Sequence, residues 1–102
     1  MSTPGKLPTL SAKELLILTL LSEGRPLYGL ELVAASTGGL KRGTVYVTLG
    51  RMEDKGYVES ELEDRRPGAA GLPRRLYRPT AFGRRVLDAW TLVRSTLAWG
   101  TK

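Results

Sequence analysis

The sequence predicts a mainly α fold with one small β-hairpin, ended by a long helix. Three observations carry that expectation. Apolar residues recur at helical spacing in four separate segments. One stretch, Tyr57 to Glu63, alternates loosely instead, and a loop rich in glycine and proline separates it from a short return segment. The chain has 102 residues and 41% apolar residues, enough for one core and too few for two. Its 25% charged residues are ordinary for a globular domain.

The elements follow in order. Met1 to Thr9 carries Pro4, Gly5 and Pro8, and residues 1–10 read as a flexible arm. Ser11 and Glu14 form a capping-box pattern ahead of Leu15, Leu16, Ile17, Leu18, Leu20 and Leu21. That run is apolar almost all round and reads as a central buried helix, stopped by Gly24 and Pro26. A second helix is expected from Tyr28 to Thr37, with Leu30, Val33 and Ala34 on one stripe and Gly38-Gly39 ending it. Leu40 to Gly43 make a short connection.

A third helix is expected from Thr44 to Lys55, with Gly56 as its C-terminal cap. Val45, Leu49 and Met52 face the core, and Thr44, Val47, Thr48, Arg51 and Lys55 lie opposite. Gly50 sits mid-helix, at a cost of about 1 kcal/mol relative to alanine. Tight helix packing or close approach to a ligand or DNA would each account for it. Tyr57 to Glu63 reads as a strand, Asp64 to Pro73 as a loop, and Arg75 to Arg78 as the return strand.

Thr80 is a good N-cap for a last helix running to about Trp99. Val86, Trp90, Val93 and Leu97 mark one face, and Ala89, Leu92, Thr96 and Trp99 a second. No segment remains to cover both. A homodimer seam through Val86, Ala89, Trp90, Leu92, Val93 and Leu97 is therefore expected.

Composition excludes much. There is no Cys and no His, which removes disulfides, thiolate metal sites and the commonest general base. No nucleotide-binding glycine motif or nucleophile elbow occurs, so neither an enzyme nor a cofactor is expected. No apolar run of membrane-spanning length and no signal-peptide pattern occurs, which fits a cytoplasmic protein and no membrane partner.

The net charge is +6, a bias towards polyanions. It is also partitioned. Residues 65–85 hold Arg65, Arg66, Arg74, Arg75, Arg78, Arg84 and Arg85 without an acid, whereas Glu53, Asp54, Glu59, Glu61, Glu63 and Asp64 crowd the preceding stretch with only Lys55. Arginines laid on phosphates explain this pattern better than arginines paired with those carboxylates.

The order helix, helix, helix, hairpin, long helix fits a winged helix-turn-helix domain over residues 11–79 and a C-terminal dimerisation helix over 80–102. The stretch GTVYVTLGRMEDKGYVES, Gly43 to Ser60, closely resembles the recognition-helix signature of the PadR-like transcriptional regulators. RRLYRPTAFG, Arg74 to Gly83, and LLILTLLSEGRPLYGLEL, Leu15 to Leu32, resemble the family's return strand and its opening helix and turn. Two positions depart from its pattern: Leu30 follows Gly29 where the family often has Tyr, and Pro79 replaces the usual Leu before Thr80.

The resemblance implies a homodimeric repressor on a double-stranded operator. In that reading Thr44, Val47, Thr48, Arg51 and Lys55 face the major groove, with Arg51 on a guanine and Val47 against a thymine methyl. Tyr46 matches the family's tyrosine in this helix, for a phosphate, a base or half-buried packing. Lys41, Arg42, Arg65, Arg66, Arg74 and Arg75 would hold the backbone, while Arg78 could instead be structural, paired with a carboxylate of the first helix or the wing. A pocket for a small aromatic effector is implied near Trp90 and Trp99, for which plain seam packing is the simpler account. Two rivals keep the fold: a nucleoid protein indifferent to sequence, and a winged-helix module for a protein partner.

Overall fold

Among the residues that the computed structural model describes (8–63 and 74–100, the side chains of 96–100 excepted), seven elements form. They are α1 (Ala12–Leu21), β1 (Leu27–Tyr28), α2 (Gly29–Ala35), α3 (Val45–Asp54), β2 (Val58–Leu62), β3 (Arg75–Pro79) and α4 (Ala81–Gly100). The mainly α reading with a hairpin wing holds.

The local signals act where the sequence puts them. The Ser11 backbone N–H donates to Glu14 Oε1 at 2.8 Å, and the Glu14 N–H donates to Ser11 Oγ at 3.2 Å, closing the capping box. From that start α1 runs through the centre of the core, with Ile17, Leu18 and Leu21 buried. Gly56, after α3, takes the left-handed φ of +80° that lets the chain leave the helix and enter β2.

One element is a finding of the fold. Leu27 and Tyr28 pair antiparallel with β3, opposite Tyr77 and Leu76, so the hairpin becomes a three-stranded sheet of order β1-β3-β2. The expected second helix therefore begins at Gly29 rather than Tyr28. It also ends earlier than Thr37, whose own φ is +48°. A two-residue strand has no alternation to read, because only its partner defines it.

The last helix is set by one close approach. The Thr80 N–H donates to the Tyr57 carbonyl at 3.0 Å, and Thr80 Oγ accepts from the Gly83 N–H at 2.9 Å. Thr80 is thus the N-cap that the sequence indicates. Gly83 then lies directly on the Tyr57 backbone, which welds the start of α4 to the junction between α3 and β2.

One half of the expected seam is corrected here. Val86 is 3% exposed and belongs to this chain's own core, beside α1. Trp90 also packs partly against that core. The expectation of an uncovered second face is kept by Leu92, which is 68% exposed. Ala89 and Val93 are half-buried, and the side chains of Leu97 and Trp99 lie outside the described residues.

Candidate nucleic-acid interface

The candidate interface is built on α3. Val45, Leu49 and Met52 are at most 1% exposed, so the inner face of the helix is committed to the core. The outer face carries Thr44, Val47 and Arg51 exposed and Thr48 half-buried. Val47 is 56% exposed, an isolated aliphatic group at the surface. Thr44 is the N-cap by position, yet its hydroxyl makes no capping bond. Arg51 forms no ion pair among the described residues. This face therefore offers an uncommitted guanidinium, an uncommitted hydroxyl and an apolar contact along one side of a helix.

Lys41 and Arg42 stand exposed in the turn before α3, without ion pairs among the described residues. They sit at the positive end of the helix dipole, where cations are disfavoured by a few tenths of a kcal/mol or more. An anionic partner offsets that cost. Tyr46 is half exposed, and its ring lies over Gly29 at the start of α2.

Gly50 is resolved as well. A Cβ added there meets nothing within 4 Å, so helix packing does not require the glycine. Gly50→Ala is expected to stabilise the fold by about 0.5–1 kcal/mol in a denaturant melt, through helix propensity alone. A loss of stability would mean that the position is strained.

Two of the expected interface cations, Lys55 and Arg74, are held in ion pairs, as is Arg78. Lys55 Nζ lies 3.0 and 2.9 Å from Glu14 Oε1 and Oε2, an ion pair that ties α3 to α1. Glu14 is 3% exposed. Burial pushes its carboxyl up, but the Ser11 N–H and Lys55 outweigh burial and hold it below the ordinary carboxylate value. Lys55 is thus committed to the ion pair between α3 and α1. Its signal was present in the sequence: Glu14 shares the buried stripe of Ile17, Leu18 and Leu21, and a carboxylate there requires a partner.

Arg74 forms a two-bond ion pair with Glu63, at 3.3 and 2.8 Å, and lies 4.0 Å above the Tyr28 ring. Arg74 and the Tyr28 hydroxyl together hold the Glu63 carboxyl down to about 2. Arg78 pairs with Glu59 and Glu61 at 3.1 and 3.0 Å. Of the arginine run, these two take the bland role of meeting the acidic strand, and Arg74 serves the wing base. Arg75 remains exposed, with Nη1 donating to Ser60 Oγ at 3.1 Å. Arg65 and Arg66 lie outside the described residues.

Pro8 and Thr9, expected to belong to a flexible arm, are held by two aromatic side chains, and residues 1–7 of that arm lie outside the described residues. Trp90 Nε1–H donates to the Pro8 carbonyl at 3.0 Å, and the Tyr57 hydroxyl donates to the Thr9 carbonyl at 2.6 Å. Both pairs join residues far apart in sequence. No helix among the described residues is long and apolar enough to cross a membrane.

A model of the transcriptional regulator PadR-like family matches residues 17–89, most of the chain. The chain belongs to the PadR-like family. Its members are transcriptional regulators, which sets the protein apart from enzymes. A PadR family transcriptional regulator from Eggerthella lenta is 31% identical and superposes with a TM-score of 0.70, over 85% of this chain and 75% of that one. A PadR family regulator from Clostridium difficile is 25% identical with a TM-score of 0.68, over 90% of this chain and all of that one. Bacillus subtilis PadR in complex with operator DNA shares the fold, at 22% identity and a TM-score of 0.66, over 76% of this chain and 46% of that one. No curated protein matches the chain in sequence.

Proposed function

We propose that this PadR-like regulator is a homodimeric repressor that reads a partly palindromic operator with α3 in the major groove. The observation that carries this reading is the outer face of α3. Thr44, Val47, Thr48 and Arg51 stand together there, while the opposite face is closed into the core. The major groove, about 12 Å wide, admits such a helix, and a guanidinium meets O6 and N7 of guanine as a fork. Lys41, Arg42 and Arg75 supply backbone contacts, which set the register without reading sequence.

Dimerisation uses the outer side of α4, with exposed Leu92 beside Ala89 and Val93. An effector with an aromatic ring would act at Trp90. That residue borders an open cleft with Thr9, Glu14 and Arg51, so an occupant would lie beside the reading helix.

The test is selection of bound fragments from a randomised duplex pool at about 150 mM salt, where nonspecific binding is weak. A twofold motif with half-sites about 34 Å apart is the expected result. Binding without an enriched motif would favour a nucleoid protein, and no retained DNA would favour a protein-interaction module. On the selected operator, Arg51→Ala is expected to lose about 1–3 kcal/mol of binding and to change affinity for random duplex little. Equal losses on both duplexes would make Arg51 a phosphate contact.

A further inference from the structure

Beside the first half of α3 lies a recess of about 400 Å³, of whose lining the operator reading uses Arg75 alone. The start of α2, α3 and the strands β2 and β3 bound it. Three side chains with exposed apolar surface converge there from three elements: Leu30 (45% exposed), Tyr46 (51%) and Leu62 (56%). Such convergence is more than the scattered apolar exposure of an ordinary surface. The Tyr46 wall is also fixed from behind. Its ring lies so close to Gly29 that a Cβ there would meet Cε1 at 2.5 Å.

The polar groups are fewer and separated. Tyr77 lines the recess and is 4% exposed, yet its hydroxyl has no hydrogen-bond partner among the described residues. That oxygen is not sealed from solvent either, since no fully buried side-chain polar atom among the described residues lacks a partner. Tyr77 thus brings to the recess wall a hydroxyl without a hydrogen-bond partner among the described residues. Burial pushes this phenol up, so it remains a neutral donor. At the rim, Arg75 bonds only the Ser60 hydroxyl and has no carboxylate partner among the described residues. Arg74 beside it commits Nε and Nη2 to Glu63, and Nη1 has no hydrogen-bond partner among the described residues.

We propose that this recess binds a nucleoside monophosphate. The base lies between Tyr46 and the two leucines and accepts a hydrogen bond from the Tyr77 hydroxyl. The phosphate meets Arg75 and the outer edge of Arg74, two guanidiniums for three oxygens. A single ring bearing a carboxylate would leave much of the volume empty and would engage only one of these cations. The regulatory consequence rests on the operator reading, because Arg75 then serves both partners and nucleotide competes with DNA.

The test needs no DNA. The full chain is titrated calorimetrically with AMP, with GMP and with benzoate. Saturable binding of either nucleotide, and not of benzoate, is the expected result. Tyr77→Phe should weaken that binding about fivefold to tenfold, the loss of one hydrogen bond. Its unfolding midpoint should stay unchanged, because the hydroxyl has no internal partner to lose. Benzoate binding as well as a nucleotide, no saturation by either nucleotide, or full affinity in Tyr77→Phe would each overturn the proposal. None of these outcomes bears on operator binding, and an empty operator selection would leave the titration standing.

Discussion

Replacing Gly83 by alanine is expected to destabilise the fold by about 2–3 kcal/mol, the upper range for overpacking a tight contact. The new Cβ would fall far inside van der Waals contact with the Tyr57 carbonyl oxygen, 2.9 Å from the carbonyl carbon and 3.1 Å from Tyr57 Cα. These are backbone atoms, so no rotamer change relieves the clash. Alanine favours the helix by about 1 kcal/mol over glycine, which is too little to offset it.

The same Tyr57 carbonyl accepts the Thr80 N–H, and Thr80 Oγ donates to the Gly56 carbonyl at 2.5 Å. Moving α4 away therefore also breaks its cap. For a domain of this size the midpoint of thermal unfolding should fall by about 10–20 °C. An alanine variant as stable as the parent would show that α4 is not seated on the Tyr57 backbone in this way.

Lys55→Met is the second large effect, at about 2–3 kcal/mol. It leaves the Glu14 carboxylate, on a residue 3% exposed, with the Ser11 N–H as its hydrogen-bond donor among the described residues. Removing one member of a buried pair costs about 3–5 kcal/mol. The figure here is smaller because the Lys55 side chain is 35% exposed and water can replace part of it.

Glu14→Gln combined with Lys55→Met should recover most of the loss, since the amide keeps the capping bond and carries no charge. Denaturant melts of the two single variants and the double variant measure the coupling. A Lys55→Met cost below about 0.5 kcal/mol would place the pair among ordinary surface ion pairs. The Glu14 contribution also has a direction with pH. Its folded-state value is depressed, so its stabilisation is full above the ordinary carboxylate range and is lost as pH falls below it.

The same ion pair shows where reading residues one at a time stops. On the helical wheel of α3, Lys55 lies with Thr48 and Arg51, and nothing local separates them. What separates them is Glu14, 41 residues earlier, which reaches Lys55 and not Arg51. The wing arginines divide for the same reason. Arg78 stands opposite Glu59 in the strand register and takes it as a partner, whereas Arg75 stands opposite Leu62 and keeps its charge exposed. Composition shows that the acidic and basic stretches are adjacent, but only the register of β2 with β3 decides which charges cancel.

The sequence by itself determined the helices, the hairpin and the family. Capping residues, left-handed glycines and apolar periodicity act over a few residues, and each is visible without a partner. It also determined the inner and outer faces of α3, because helical phase follows from spacing alone. The tertiary structure alone decided the rest. It made Leu27–Tyr28 a strand by giving it β3, drew Val86 into the core beside α1, and spent the Trp90 indole on Pro8, 82 residues away. Those contacts join residues whose nearness exists only after the chain has closed, so no local pattern can carry them.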